Sequence, residues 1–293
     1  MISNYVNMIS KYSDLILREA SNSWNNIDFS KPEPEIIKEY LLSAGKGVDY
    51  LNHNVSKIIT NQTEYELKFA SVFCHQKPRV ERTFNSRKNC IGSTDSCELG
   101  DLMIVFLLLD KNKNVVCSTA KIMQAKKQDN LDSESQKCLY ESDLDFNMPN
   151  NVVKVSSNDF ALRKLPNYSE RRNMGLSYLI LNGGNPYNKE IPSASNLHYG
   201  WNYHLELMME LKTGKKFVNP IDKEDIGWNC IISDLLNIGT GKVKSSIDRG
   251  YGLDFFINAF NYYYYYPEYK IENEETGIPK IIIICKDTER SID

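Results

Sequence analysis

No apolar run in the 293 residues approaches the roughly 20 that a bilayer span needs, so a membrane-spanning protein is not expected. The amino terminus, Met1-Ile2-Ser3-Asn4-Tyr5, has neither the basic n-region nor the apolar h-region of a signal peptide, and a cytoplasmic protein is expected. Positive charge is not in excess: 35 Lys and Arg stand against 38 Asp and Glu, for a net charge of -3. Overall charge therefore does not announce a nucleic-acid binder, although phosphate contacts depend on local clusters. Cys-x-x-Cys pairs are missing. The seven cysteines, at 74, 90, 97, 117, 138, 230 and 285, are odd in number and sit mostly within apolar runs, which favours buried free thiols. Cys74-His75 with Cys90 and Cys97 does not have the spacing of a familiar zinc site. An apolar fraction of 41% and a charged fraction of 25% exclude the disordered and collagen-like classes.

What is present is organised around residues 97–127. Cys97-Glu98-Leu99-Gly100-Asp101 runs into an apolar stretch to Leu109, a polar turn Asp110-Lys111-Asn112-Lys113-Asn114 follows, and Val115 to Lys127 carries Gln124-Ala125-Lys126 near its end. Two apolar runs around an Asn/Asp-rich cluster read as an antiparallel hairpin. Folded about Asn112-Lys113, it sets Asp101 opposite Gln124, and alternation puts Gln124 and Lys126 on one face. A carboxylate, an amide oxygen and an ammonium then converge at the open end. Such a set suits a divalent-metal phosphodiesterase, with oxygens for Mg²⁺ and a cation beside water or phosphate.

Asp101 followed by Gln124-x-Lys126 resembles the active-site signature of the PD-(D/E)XK nuclease superfamily, in the QxK branch similar to Mrr-like restriction endonucleases. The resemblance covers roughly residues 63–146. It implies an αβββαβ core with a mixed central sheet, Mg²⁺ dependence with Mn²⁺ as a substitute, DNA as partner, and an acidic residue from the first core helix.

That acid is expected to be Glu66. Thr63 to Phe73 reads as a short helix in which Glu66, Phe69, Ala70 and Phe73 share a face, making Glu66 an acid on an apolar stripe that a metal or lysine would satisfy. The plainer alternative is a residue at the stripe's rim. Glu98 is the second choice, brought round only if Gly100 allows a bulge. Residues 75–84 are expected to form the first strand. Lys77, Arg79, Arg82, Arg87 and Lys88, with Lys127 beyond the hairpin, form a basic set suited to a phosphate backbone, or else a solvated loop.

Elsewhere, residues 1–60 read as helices, Ser133 and Gln136 as a capping box opening a helix to about Ser142, and Leu176 to Leu181, ahead of Val152 to Val155, as the core's final strand. Beyond it, His204 to Leu211 suggests a strand, Asp225 to Leu236 an amphipathic helix, and Ile278 to Cys285 a buried strand. Gly239-Thr240-Gly241-Lys242 reads as a helix end and turn rather than a phosphate loop. The tyrosines at 262–266 suit packing better than base stacking. His198 and His204 lack zincin spacing and read as structural or surface residues.

The expected organisation is an α/β (mixed α+β) protein: an N-terminal helical region over 1–60, a nuclease-like core over 61–182, and a mixed C-terminal region over 183–293 packed on it. The expected function is a Mg²⁺-dependent endodeoxyribonuclease, with restriction or anti-phage defence as its setting and a homodimer or a defence-system protein as further partners. The alternative is a non-catalytic nucleic-acid- or protein-binding module on the same fold, and a scaffold in which Gln124-Ala125-Lys126 is an ordinary strand end stays open as well.

Overall fold

In a computed structural model, the described residues are 1–74, 77–88, 90, 93–131, 133–149, 152, 161–218, 226–240, 247–249 and 276–288. Within them the chain is mixed α/β. Helices α1 (Ile2–Lys11), α2 (Ser13–Asn22), α3 (Glu33–Leu42), α4 (Gly47–Leu51) and α5 (Lys57–Gln62) come first, with a π-helical turn, Asn52–Ser56, joining the last two. Then follow β1 (Tyr65–Cys74), β2 (Arg79–Arg82), α6 (Phe84–Lys88), β3 (Ser96–Glu98), β4 (Leu102–Leu109), β5 (Val115–Lys126), α7 (Glu134–Glu141), β6 (Asp145–Met148) and β7 (Ala161–Lys164). The remainder holds α8 (Arg172–Gly175), β8 (Leu176–Ile180), β9 (Tyr187–Glu190), β10 (His198–Gly200), α9 (Trp201–Met209), β11 (Lys215–Lys216), α10 (Trp228–Thr240), β12 (Ile247–Arg249) and β13 (Lys280–Asp287).

The central mixed sheet runs β10-β9-β8-β5-β4-β13-β1-β12, with β11 added on β5; β3-β2-β6-β7 form a second, smaller sheet. Side-chain alternation along the central strands builds two cores. Leu102, Ile104, Phe106 and Leu108 join Tyr65, Leu67 and Phe69 against α1 to α5 and α9, whereas Met103, Val105 and Leu107 join Ala70 and Val72 against α7, α10 and the small sheet. A strand covered on both faces has no polar side to show, and every residue of β4 is buried.

The hairpin stands as expected. β4 pairs antiparallel with β5, Leu102 opposite Met123, and its turn places Lys113 at φ 66°. The N-terminal helices, α7 and β8 also lie where the sequence reads them, and β8 joins β5 in parallel.

Several expectations are corrected. Residues 65–74 are a strand and not a helix, because Tyr65, Leu67 and Phe69 alternate into the helical layer with the period of two that defines a strand. Among the described residues of the expected strand at 75–84, only Arg79–Arg82 pairs, and it does so in the small sheet. The segment from His204 is helix α9, since Trp201, Leu205, Met208 and Met209 recur at helical spacing and are buried together. Two of the cysteines, Cys90 and Cys138, are joined in a disulfide across 48 residues, which removes Cys90 from any zinc set. Cys74, Cys97, Cys117 and Cys285 are buried free thiols, and Cys230 is half-buried. Strand β13 lies in the middle of the central sheet, parallel to β4 on one side and antiparallel to β1 on the other. Residues 153–155, the tyrosine run at 262–266, Gly241-Lys242 and Asp225 lie outside the described residues.

Candidate active site at the open end of the hairpin

Three strands deliver the site. β3 pairs with β2 so that Glu98 faces Arg79, and Leu99 N–H donates to the Pro78 carbonyl at 2.9 Å. Two residues later the chain enters the central sheet, where Asp101 N–H donates to the Met123 carbonyl at 2.8 Å. Gly100 makes this passage possible: a Cβ there would stand 2.5 Å from Ile122 Cγ2 and 3.2 Å from the Tyr140 hydroxyl. That hydroxyl donates to the Leu99 carbonyl at 2.9 Å, so α7 buttresses the turn.

Asp101 is buried, and its Oδ2 accepts the Ala125 N–H at 2.7 Å, beyond the last strand pair at Leu102 and Met123. Its Oδ1 receives the ammonium of Lys77, which also lies 3.4 Å from Glu98 Oε2. Burial pushes the Asp101 carboxyl up from the usual range, against the opposing pull of Lys77 and the Ala125 N–H. Burial also opposes the charge on Lys77, but Asp101 and Glu98 outweigh it and hold the ammonium above its ordinary value. Gln124 is fully buried; its Nε2 donates to the Glu98 carbonyl at 2.8 Å, and its Oε1 has no partner among the described residues. Buried amide oxygens are rarely left so.

Asp101 and Glu98 therefore converge on the Lys77 ammonium, with Glu98 rather than Glu66 as the second acid, while the Gln124 amide is held to the Glu98 backbone carbonyl. Glu66 lies opposite Lys286, which lies opposite Leu109. It is at the far end of the sheet, roughly 25 Å from Asp101 at about 3.3 Å per residue. Lys126, half-buried, is on the Gln124 face by alternation but donates to Gln136 Oε1 on α7 at 2.9 Å. Ser133 is the N-cap of α7 without a side-chain bond, and Gln136 serves Lys126 instead of closing the capping box.

The basic set is dispersed. Lys77 faces inward, and Arg82 is buried against Asp143. Arg79 is exposed and donates to Ser96, and exposed Lys88 lies over the Phe84 ring at 4.2 Å. Lys127 is exposed at the other side of the site, where its N–H donates to Glu33 Oε1 at 2.8 Å. The Arg87 side chain lies outside the described residues.

A cleft of about 270 Å³ opens here, lined by Glu33 and Ile37 of α3, Phe73, Lys77, Glu98 and Asp101 among others. Glu33 and Lys77 carry no signal of this role in the sequence, since each reaches the cleft through packing between distant segments. No three His, Cys, Asp or Glu side chains among the described residues gather into a metal group by themselves. The donors that share one cationic atom here are the two carboxylates of Asp101 and Glu98.

A second polar cluster is buried under α9. Lys121 Nζ lies 2.9 Å from Glu190 Oε1, Tyr199 donates to the same oxygen, and His204 stacks on Tyr199 with both ring nitrogens unpartnered among the described residues. The chain matches no protein-family model, no curated protein and no solved structure in comparisons with each.

Proposed function

We propose that the protein is a divalent-metal-dependent endonuclease acting on DNA, on a restriction endonuclease-like core. With β2, α6 and β3 set aside between β1 and β4, and β6, β7 and α8 between α7 and β8, the chain order α5, β1, β4, β5, α7, β8 is αβββαβ, with β13 inserted between β1 and β4 in the sheet. The observation that carries the reading is the convergence of the Asp101 and Glu98 carboxylates on one cationic atom at the hairpin's open end, in a cleft.

The residues present fit Mg²⁺ or Mn²⁺. Two carboxylates already converge on one cationic atom, and the buried Gln124 Oε1 lacks a donor; hard divalent ions take such oxygens. When bound, the ion lowers the pKa of a water and offsets charge on the phosphate. Asp101 and Glu98 would hold it and Gln124 Oε1 would complete the protein's share. The Ala125 N–H fixes the Asp101 carboxylate, and the Glu98 carbonyl fixes the Gln124 amide. Lys126, released from Gln136, would stabilise charge developing on the phosphate. Arg79, Lys88 and Lys127 are the exposed cations left to contact the backbone. Restriction or anti-phage defence is the setting this chemistry suits.

The test is cleavage of DNA by the purified protein with Mg²⁺ or Mn²⁺. Lys126→Ala should abolish cutting while melting stays near wild type, and Asp101→Asn should abolish it wherever the variant folds; activity equal to wild type in both variants ends the assignment. A non-catalytic binding module is the second reading, favoured by the Lys77 ion pair, which satisfies Asp101 without a metal. Metal-independent nucleic-acid binding without cleavage would support it.

A further inference from the structure

We propose that the Lys77 ammonium is the resident occupant of the cation position formed by Asp101 and Glu98, and that a divalent ion enters only by displacing it. The inference rests on the metal-dependent reading of this site and adds a control on it.

Nζ of Lys77 contacts Asp101 Oδ1 and lies 3.4 Å from Glu98 Oε2. These are the two carboxylates an ion would need, and two cations a few ångströms apart in a poorly solvated site repel strongly. The lysine side chain is only 15% exposed, so the pair is shielded from the screening that weakens surface ion pairs. The backbone next to it is tied down, because the Pro78 carbonyl accepts the Leu99 N–H. The four-carbon stem is not so restricted. Lys77 lines the cleft together with Glu33, so its ammonium can swing into a space that already holds another carboxylate. A lysine suits this role better than arginine would, being a point charge on a flexible stem with no fixed fork to dismantle.

Metal affinity then contains the cost of removing Lys77, as for any ligand whose competent state is a minor one.

The experiment is calorimetric titration of Mn²⁺ alone into wild type, Lys77→Met and Lys77→Arg. Lys77→Met should bind Mn²⁺ at least about ten-fold more tightly than wild type, the gain expected when a competing state populated ten to one is removed, and Lys77→Arg should show no such gain. Equal affinity in Lys77→Met and wild type overturns the proposal. Lys77→Met leaves Asp101 buried without its cation and so risks misfolding. The wild-type protein with ¹⁵N-labelled lysine gives an independent reading: the Lys77 Nζ resonance should move on adding Mg²⁺ and saturate with binding. A resonance that stays put while Mg²⁺ saturates the protein overturns the proposal too. DNA cutting with unaltered Mn²⁺ affinity sinks this inference alone, whereas tighter Mn²⁺ binding by Lys77→Met with no cutting by any form sinks the nuclease reading alone.

Discussion

Arg82 and Asp143 meet side-on inside the protein, with Nε 2.6 Å from Oδ2, Nη2 2.9 Å from Oδ1, and neither side chain exposed. This pair ties β2 to the chain after α7, and its geometry is the two-pronged one in which arginine is strongest. Removing one partner strands a buried charge. Arg82→Ala is expected to lower unfolding free energy by about 3–5 kcal/mol in urea denaturation.

The same placement sorts the basic residues by their use. Arg79→Ala and Lys88→Ala should each reduce the slope of log affinity for DNA against log salt by about 1. Arg82→Lys, wherever it folds, should leave that slope unchanged. Salt-dependent fluorescence titrations make the comparison.

Glu66 offers a direct contrast with Glu98. Glu66→Ala should cut DNA at the wild-type rate, because the residue sits beside Lys286 at the opposite end of the sheet. Glu98→Ala should lose about 100-fold or more, the scale of one electrostatic contact in a transition state. Initial rates at saturating Mg²⁺ decide between them.

His204 should make stability fall in mild acid. Burial holds its imidazole well below the usual range, with the Lys121 cation adding to the effect; Glu190 and Tyr199 are the other titratable groups of the cluster. The folded pKa is depressed for a base, so the unfolded chain binds the extra proton. Stability is fully present above pH 6.5 and declines as pH drops beneath it. His204→Phe should flatten this decline in the pH profile of stability measured by denaturant unfolding.

Reduction of Cys90–Cys138 should cost stability as well. The bond closes a loop across 48 residues, for which chain entropy gives about 4 kcal/mol. Cys138→Ser should lower the melting temperature, and dithiothreitol should lower that of wild type but not of the variant.

Much of this site was legible because its parts are near one another in the chain. An Asn/Asp-rich turn between two apolar runs sets the register of β4 on β5, and register plus alternation brings Asp101 to Gln124. Glu66 was misplaced for a related reason: Tyr65, Leu67 and Phe69 carry a strand's period, while Phe69, Ala70 and Phe73 also satisfy a helix's, and a stretch this short fits both. Burial of alternate residues against the N-terminal helices decides for the strand.

By itself, then, the sequence determined the mixed α/β character, the central hairpin with its register, and α7. These follow from local periodicity and turn chemistry. Only the tertiary structure decided that β13 lies between β4 and β1, that Cys90 joins Cys138, that Arg82 is internal, and that Lys77 rests on Asp101. Each of those depends on segments far apart in the chain or on which side of a layer a side chain falls, and no local pattern encodes the choice between one distant partner and another.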